Sequence, residues 1–382
     1  MKLIPFDQVR QQLLPGVPLP WNVRNAAGDL LLAKGQVVPD AAMLAGLKER
    51  GAFADADEIA ALSNRQDLAL TIQMSGRWAT LEARLHTILR SPTQQHFLRR
   101  VREVLVHVAA AAHANADEVI YLIMRHDHSR LEHYGIAHSL HCAALCGLLA
   151  RRLGWANSTM TSLMGAALTM NISVLELQGT LARRGGAMTW PERMAIEDHP
   201  GASARILREA GLRDEIWLEA VEQHHEAPGG HGYPGRLAKP SEMSQLLRLV
   251  DMFTAKHSPR TGRLPVPAMK AAQDMFRQAK GDPLVSLLIK ELGIYPPGCC
   301  VRLASGEVGV VVRVGSTAAS PTVSVLQAAD GSHLPRPVLR KTDQADYRIV
   351  ESLPDTDLAL PVHDVPLARL SAGRELPAAA SA

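Results

Sequence analysis

Apolar residues recur every three or four positions along most of the chain between residues 131 and 295, which is the period of an amphipathic α-helix. In the first of these segments Leu140 and Ala144 lie on one apolar face, and Gly154 is expected to end the helix. A turn or kink is expected at residues 281–283. The pattern therefore predicts a mainly α protein, with further helices at residues 158–171, 190–210, 213–226, 241–256 and 266–292.

Short apolar runs separated by turn residues flank these helices and are typical of β-strands. Residues 25–29 separate two such runs in the manner of a hairpin turn, and Gly306 and Gly315 separate the Val-rich runs near the other end. Five segments are therefore expected: a small β-containing module at 1–55, a helical connector at 64–130, a helical domain at 131–295, a small β-sheet module at 297–350 and a disordered tail at 366–382.

Composition narrows the possible functions. The chain has 382 residues, of which 47% are hydrophobic and 21% charged, and 41 basic residues against 38 acidic ones make a net charge of +3. This balance does not favour binding to DNA or RNA, which a clustered basic surface would indicate. No apolar run is long enough to span a membrane. The four cysteines form neither a disulfide framework nor a CxxC clamp, so we expect a reducing, cytoplasmic location.

Several histidines and one aspartate are placed where they can converge. His224 and His225 close an apolar-periodic helix just before a Gly/Pro-rich bend, where both imidazoles can face one ion. Asp251 stands within an apolar helix, where an unpaired carboxylate would be costly to bury. His138 and His199 lie on two further predicted helices. Helical bundles build metal sites from such facing side chains, and these ligand types suit Fe, Mn, Zn or Ni.

Residues 224–234 carry a recognisable pattern. The chain resembles the HD-GYP family, a branch of the HD phosphohydrolases whose enzymes hydrolyse cyclic di-GMP and whose motif reads HHExxDGxGYP. Other family elements follow the same order, at residues 138–139, 199–200, 249–251 and 282–285. The resemblance implies an HD-type helical bundle over residues 131–295. The motif residues that match are His224, His225, Glu226, Gly230, Gly232, Tyr233 and Pro234.

The resemblance also implies roles for individual residues. Arg260 and Arg263 match basic positions that contact the phosphates of the ligand. Gly232, Tyr233 and Pro234, in the loop beside the site, are also expected to bind the ligand. The implied metal ligands are His138, His199, His224, His225 and Asp251.

The chain departs from the family at its most reactive positions. The histidine and aspartate of the HD dyad are replaced by Thr169 and Met170, and the phosphate-contacting lysine by Ser173. A literal His-Asp pair at residues 126–127 precedes His138 and is not expected to replace the dyad. Because the dyad aspartate bridges two metal ions in HD-type sites, a binuclear phosphodiesterase is not expected. The remaining residues indicate one divalent ion or none.

Three functions remain open from the sequence. The first is a cyclic di-GMP signalling protein that binds the nucleotide, a related nucleotide or a protein partner with little or no hydrolysis. The second is an active metal-dependent phosphodiesterase with a reduced metal site. The third is an interaction scaffold whose terminal β modules bind a partner, with the histidines and Asp251 forming only a buried polar network.

Overall fold

The computed structural model divides the chain into two compact units, residues 1–73 and 74–382. The structure describes residues 3–6, 19, 21–36, 38, 43, 46–47, 50–58, 77–125, 131–258, 260–261, 266–279, 281–353, 365 and 367–372.

The first unit contains a small antiparallel sheet. Its strands are β1 (Leu3–Pro5), β2 (Val23–Arg24), β3 (Leu30–Leu32) and β4 (Phe53–Asp55), in the order β1-β4-β2-β3. The turn between β2 and β3 is closed by a 2.9 Å hydrogen bond from the Asn25 backbone N–H to the Asp29 carbonyl, which confirms the predicted hairpin. Apolar burial on one face of this sheet stabilises the unit.

The second unit is mainly helical. Residues 77–89 are helical. The numbered helices that follow are α1 (Phe97–Ala114), α2 (Ala116–Met124), α3 (Tyr134–Arg152), α4 (Asn157–Thr169), α5 (Leu175–Arg184), α6 (Trp190–Glu209), α7 (Glu215–Gln223), α8 (Glu242–His257), α9 (Ala268–Ala279) and α10 (Pro283–Leu292).

Helix α3 is the centre of the bundle. Every residue from 134 to 150 is buried, so the helix is covered on all sides rather than on one stripe. It contacts α1, α4, α5 and α8. Small residues allow this close approach; a Cβ at Gly147, for example, would lie 2.9 Å from the sulfur of Met164 on α4. Residues that α3 contributes to a site are therefore enclosed by other helices.

Capping residues define where the helices near the site begin. Thr189 and Glu192 form a reciprocal capping box at the start of α6, and Pro191 lies in its first turn, where proline is tolerated. Asp214 accepts a 3.1 Å hydrogen bond from the backbone N–H of Trp217 at the start of α7. These capping residues fix where α6 and α7 begin, and therefore where His199 and His224 lie.

A second antiparallel sheet follows the helices. Its strands are β5 (Cys300–Leu303), β6 (Val308–Arg313), β7 (Thr322–Gln327), β8 (His333–Lys341) and β9 (Ile349–Leu353), in the order β8-β7-β6-β5-β9. The short helix α11 (Leu367–Ser371) contacts β6 and β8. Asp117 on α2 accepts a 3.0 Å hydrogen bond from the backbone N–H of Val314, which joins this sheet to the helical part of the unit.

The prediction of a mainly α protein with small β modules is confirmed. Helix bounds agree to within three residues, and the last predicted helix divides into α9 and α10 around the expected break. Helix α5 was missed because only Leu175, Gly179 and Ala182 of it are buried, which leaves a weak apolar period. The five-segment division stays a prediction, and most of the 366–382 tail and residues 126–127 lie outside the described residues. No helix in the described part of the chain is long and apolar enough to cross a membrane.

Candidate metal centre

Two imidazoles meet between α6 and α7. The Nε2 atoms of His199 and His224 lie 3.0 Å apart, and both side chains are almost completely buried. In each ring the other nitrogen, Nδ1, donates a 2.6 Å hydrogen bond to a backbone carbonyl, that of Ile196 and that of Val221 respectively. The neutral rings therefore present two unprotonated nitrogens to each other, which cannot form a hydrogen bond but can bind one cation.

The two carbonyl acceptors are available for local structural reasons. Pro200 has no N–H, so the Ile196 carbonyl, four residues earlier in α6, receives no helical hydrogen bond from it. Val221 is within the last turn of α7, where the final carbonyls have no partner inside the helix. A proline after His199 and a helix end before His224 thus select the same tautomer in both rings.

His225 completes this group of three. The ligand atoms of His199, His224 and His225 all lie within 4.8 Å of one another, and the His225 ring stacks on Tyr233 with centroids 4.6 Å apart. Burial and the nearby His225 lower the pKa of His199 to about 4, and burial lowers the pKa of the other two histidines as well. All three rings are therefore neutral at pH 7, as metal coordination requires.

A second group of ligand atoms lies between α3 and α8. Asp251 accepts a 2.7 Å hydrogen bond from Nε2 of His138. Burial alone would raise the pKa of Asp251, but the hydrogen bond and charge of His138 hold it well below its usual value. Cys142, one turn after His138, has its Sγ 3.6 Å from the same nitrogen. The negative charge of Asp251 acts to raise the pKa of each of the three histidines in the first group, against the larger effect of burial. The two groups are therefore close to each other.

Thr169 and Met170, which are predicted to stand in place of the HD dyad, supply neither an imidazole nor a carboxylate. The hydroxyl of Thr169 donates to the Gly165 carbonyl at 2.8 Å and accepts a 2.9 Å hydrogen bond from Nε1 of Trp217. Gly165 makes room for that indole, since a Cβ there would lie 2.3 Å from the ring. Met170 is completely buried in the apolar core. Thr169 thus joins α4 to α7, and Met170 is part of the hydrophobic core.

Ser173, which is predicted to stand where the family has a phosphate-contacting lysine, is also hydrogen-bonded. Its hydroxyl lies 2.9 Å from the hydroxyl of Ser203 and donates to the His199 carbonyl at 3.2 Å. It therefore holds the end of α4 against α6 rather than extending towards a ligand.

The loop after His225 is held by a buried carboxylate. Glu226, only 1% exposed, accepts hydrogen bonds from the backbone N–H groups of Gly235 (2.5 Å) and Leu237 (2.9 Å). Gly232 has no room for a side chain, because a Cβ would lie 2.3 Å from the Ala227 nitrogen. These contacts bring Tyr233 onto His225, whereas Pro234 is exposed.

Of the two arginines predicted to contact phosphate, one is described. Arg260 donates a 2.6 Å hydrogen bond from Nη2 to the hydroxyl of Tyr134, and its guanidinium lies 4.7 Å from the centre of that ring. Tyr134 in turn stacks on His138, so the Tyr134 side chain lies between Arg260 and the second ligand group. Arg263 lies outside the described residues.

The structure brings the five predicted metal ligands into two neighbouring groups, and their role as ligands stays a prediction. Cys142 is completely buried, and its contact with His138 was not predicted from the sequence. Their spacing of four residues, which places both on one helix face, was the available signal. The contact between Thr169 and Trp217 joins residues 48 apart, and no sequence pattern indicates it.

Comparison with known proteins identifies the family. A family model for the HD domain matches residues 95–285, half of the 382-residue chain. A cyclic di-GMP phosphodiesterase of Pseudomonas aeruginosa is 30% identical over 234 residues, which cover 57% of this chain and only 56% of that protein. A solved HDG"Y"P protein from Bdellovibrio bacteriovorus matches 72% of this chain and 95% of its own at 16% identity and a TM-score of 0.45. The chain belongs to the HD domain family, as its resemblance to the HD-GYP branch predicted.

Proposed function

We propose that this chain binds cyclic di-GMP, or a related phosphodiester nucleotide, with one divalent ion at His199, His224 and His225 and with little or no hydrolysis. The observation that carries the proposal is the state of the dyad positions. Thr169 is hydrogen-bonded to Trp217 and Met170 is buried in the core, so neither supplies a bridging ligand.

Loss of the bridge bears directly on the chemistry. A bridged pair of ions activates water and stabilises the charge of the phosphoryl group in hydrolysis. A carboxylate bridges hard cations, whereas the thioether of Met170 is a soft, neutral donor. The Thr169 hydroxyl already makes two hydrogen bonds and is a poor substitute for an imidazole.

The three histidines fit a single ion. Two Zn–N bonds of about 2.05 Å at a tetrahedral angle place their nitrogens about 3.3 Å apart, and the Nε2 atoms of His199 and His224 are 3.0 Å apart. Their Nδ1 hydrogen bonds supply the outer support that oriented metal-binding histidines have. Three protein ligands leave one coordination position open, and an ion bound there would supply a positive charge for a phosphate oxygen.

Recognition of the nucleotide is assigned to two elements, Arg260 and the GYP loop (Gly232–Pro234). Arg260 has a buried Nε without a hydrogen-bond partner among the described residues, and a guanidinium binds phosphate oxygens in pairs. Cyclic di-GMP is the first nucleotide to test because the Pseudomonas aeruginosa relative is a phosphodiesterase for it. The half-buried Tyr233 ring beside His225 offers an aromatic face to a base.

The test is binding and turnover measured on the same purified protein. Cyclic di-GMP is added with Mn²⁺ or Fe²⁺, binding is followed by calorimetry, and products are separated by chromatography. We expect saturable binding without multiple turnovers, and weaker binding in Arg260→Ala. Arg277→Ala, at an exposed arginine of α9 that pairs with Asp274, is the matched control and should bind as the wild type does.

Two outcomes would overturn the proposal. Linear dinucleotide or GMP formed over several turnovers, and lost in His224→Ala, would identify an active phosphodiesterase with a reduced site. Absence of binding to the metal-loaded protein would instead favour the interaction scaffold.

A further inference from the structure

The second ligand group contains a cysteine to which neither the HD-GYP resemblance nor the proposed function assigns a role. His138 and Cys142 are four residues apart on α3, so both face the same side of the helix, and Asp251 faces them from α8. Their ligand atoms all lie within 4.8 Å of one another. Asp251 retains 13% side-chain exposure, so the group is buried but reachable from solvent.

We propose that His138, Cys142 and Asp251 form a second, separate cation site that takes a thiophilic divalent ion such as Zn²⁺, with the Cys142 thiolate as a ligand. This site shares no residue with the three-histidine group, so it does not depend on an ion being bound there.

The geometry of the pair on α3 suits a sulfur–nitrogen ligand set. Bonds of about 2.3 Å to sulfur and about 2.05 Å to nitrogen at a tetrahedral angle place the two atoms about 3.6 Å apart. The observed separation of Cys142 Sγ and His138 Nε2 is 3.6 Å. On binding, the proton between His138 Nε2 and Asp251 would be released to solvent, and the neutral ring would keep a proton on Nδ1. Both Nε2 and the carboxylate would then face the ion.

Thr254 supports the sulfur from the side of α8. Its hydroxyl oxygen lies 3.1 Å from Cys142 Sγ and 2.8 Å from the Val250 carbonyl. Burial raises the pKa of the Cys142 thiol well above its usual value, so without a cation the thiol is neutral and donates to Thr254. A bound cation displaces that thiol proton to solvent, and the threonine O–H can then turn to donate to the thiolate.

Cys146 is the internal comparison. It lies one turn further along α3 and is also completely buried, but no hydrogen bond to His138 or Asp251 is formed by its thiol. Among the described residues it belongs to no group of three ligand atoms that could hold a metal ion, so it is the comparison cysteine on the same helix.

The site changes the expected metal content. From the sequence, one divalent ion or none is expected, because the residue that would bridge two ions is replaced. That expectation does not consider an ion bound without a bridge. A thiolate at Cys142 supplies a third donor beside His138 and Asp251 without any bridge, so the chain would hold two unbridged ions when both groups are filled.

Cobalt provides a direct readout of the sulfur. Full-length protein is purified without a metal-binding tag, stripped with a chelator and titrated with Co²⁺ in the presence of a non-thiol reductant. A thiolate ligand produces a sulfur-to-cobalt charge-transfer band in the near ultraviolet, which histidine and carboxylate ligands do not. We expect this band in the wild type and in Cys146→Ser, and its loss in Cys142→Ser.

Metal analysis separates this inference from the proposed function. Zinc content should fall by one equivalent in Cys142→Ser, which empties the second site. It should also fall by one equivalent in His224→Ala, which empties the three-histidine site and should keep the cobalt band. An unchanged zinc content in His224→Ala would count only against the three-histidine ion. Circular dichroism tests whether the variants fold. If Cys142→Ser does not fold, Asp251→Asn takes its place as the test variant, because it keeps the side-chain shape and should weaken the cobalt band. Absence of the band in the wild type, or its persistence in Cys142→Ser, would overturn the second site.

Discussion

His199 and His224 show how a residue's backbone neighbours prepare it for a role. Each imidazole gives its only proton to a carbonyl that its own helix leaves free, in one case because of Pro200 and in the other because α7 ends. The two remaining lone pairs then face each other at 3.0 Å, which is unfavourable until a cation lies between them. The electrostatic cost is confined to the place where we propose that an ion binds.

Protonation of these histidines should make stability depend on pH. The pKa of His199 is about 4 in the folded protein, below the ordinary 6.5 because of burial, so the unfolded chain takes up the proton first as pH falls. In chelator-treated protein the free energy of unfolding should therefore fall between pH 7 and pH 5, by about 2 kcal/mol for His199 alone. Urea unfolding at both pH values measures the loss. His199→Gln should lose less than the wild type, and an equal loss would contradict the assignment.

The hydrogen bond between Thr169 and Trp217 gives Thr169 a structural role. Replacing Thr169 with Val keeps the shape but leaves the buried Trp217 Nε1–H without its acceptor. We expect a loss of about 1–3 kcal/mol in the free energy of unfolding, measured with urea. Thr161→Val is the control, because Thr161 is exposed on the same helix and bonds only to the Asn157 carbonyl. Similar losses in the two variants would show that the indole contact contributes little.

At the scale of elements, the loop between α7 and α8 depends on Glu226. Its carboxylate takes two backbone N–H groups from the far side of the loop, at Gly235 and Leu237, as a capping residue does at a helix start. The close approach at Gly232 allows the chain to turn back beneath His225. The motif thus encodes both the adjacent histidines His224 and His225 and the loop whose Tyr233 stacks on His225.

Glu226→Gln should loosen this loop without removing a proposed ligand. An amide presents one acceptor oxygen in place of two, so one of the two N–H groups loses its charged partner. Amide exchange at Gly235 and Leu237 should accelerate, and stability should fall by about 1–3 kcal/mol. Glu222→Gln, at a half-exposed ion pair with Arg208, should change stability by about 1 kcal/mol or less. Unchanged exchange in Glu226→Gln would rule out the carboxylate as the clamp.

At the scale of the whole molecule, ion binding should be coupled to folding of the second unit. The three histidines come from α6 and from the end of α7, and the second group comes from α3 and α8, so bound ions would join four helices. Zinc at about 100 times its dissociation constant should stabilise the folded state by about 2.7 kcal/mol per site.

Thermal unfolding with and without a chelator measures this coupling. The wild type should melt at a lower temperature after chelation. His224→Ala should show a smaller zinc-dependent increase, because one of the two proposed sites is removed. An equal increase in both proteins would place the stabilising zinc elsewhere.

The sequence by itself determined the family, the mainly α fold and the bounds of most helices between residues 131 and 295, although α5 was missed. Helical period, caps and turn residues are local, so α6, α8 and the break between α9 and α10 were readable within a few residues. The GYP motif and the substitutions at Thr169 and Met170 were equally readable, because they are defined by residue type and spacing.

Only the tertiary structure decided what the surviving and substituted residues contact. The facing nitrogens of His199 and His224, the bond between Thr169 and Trp217 and the contact between Cys142 and His138 depend on how the helices pack. Spacing along one helix identifies a shared face, but it does not identify what a second helix presents to that face. Cys142 could be read from the sequence as a core residue, and its position beside Asp251 became visible only when α8 was packed against α3.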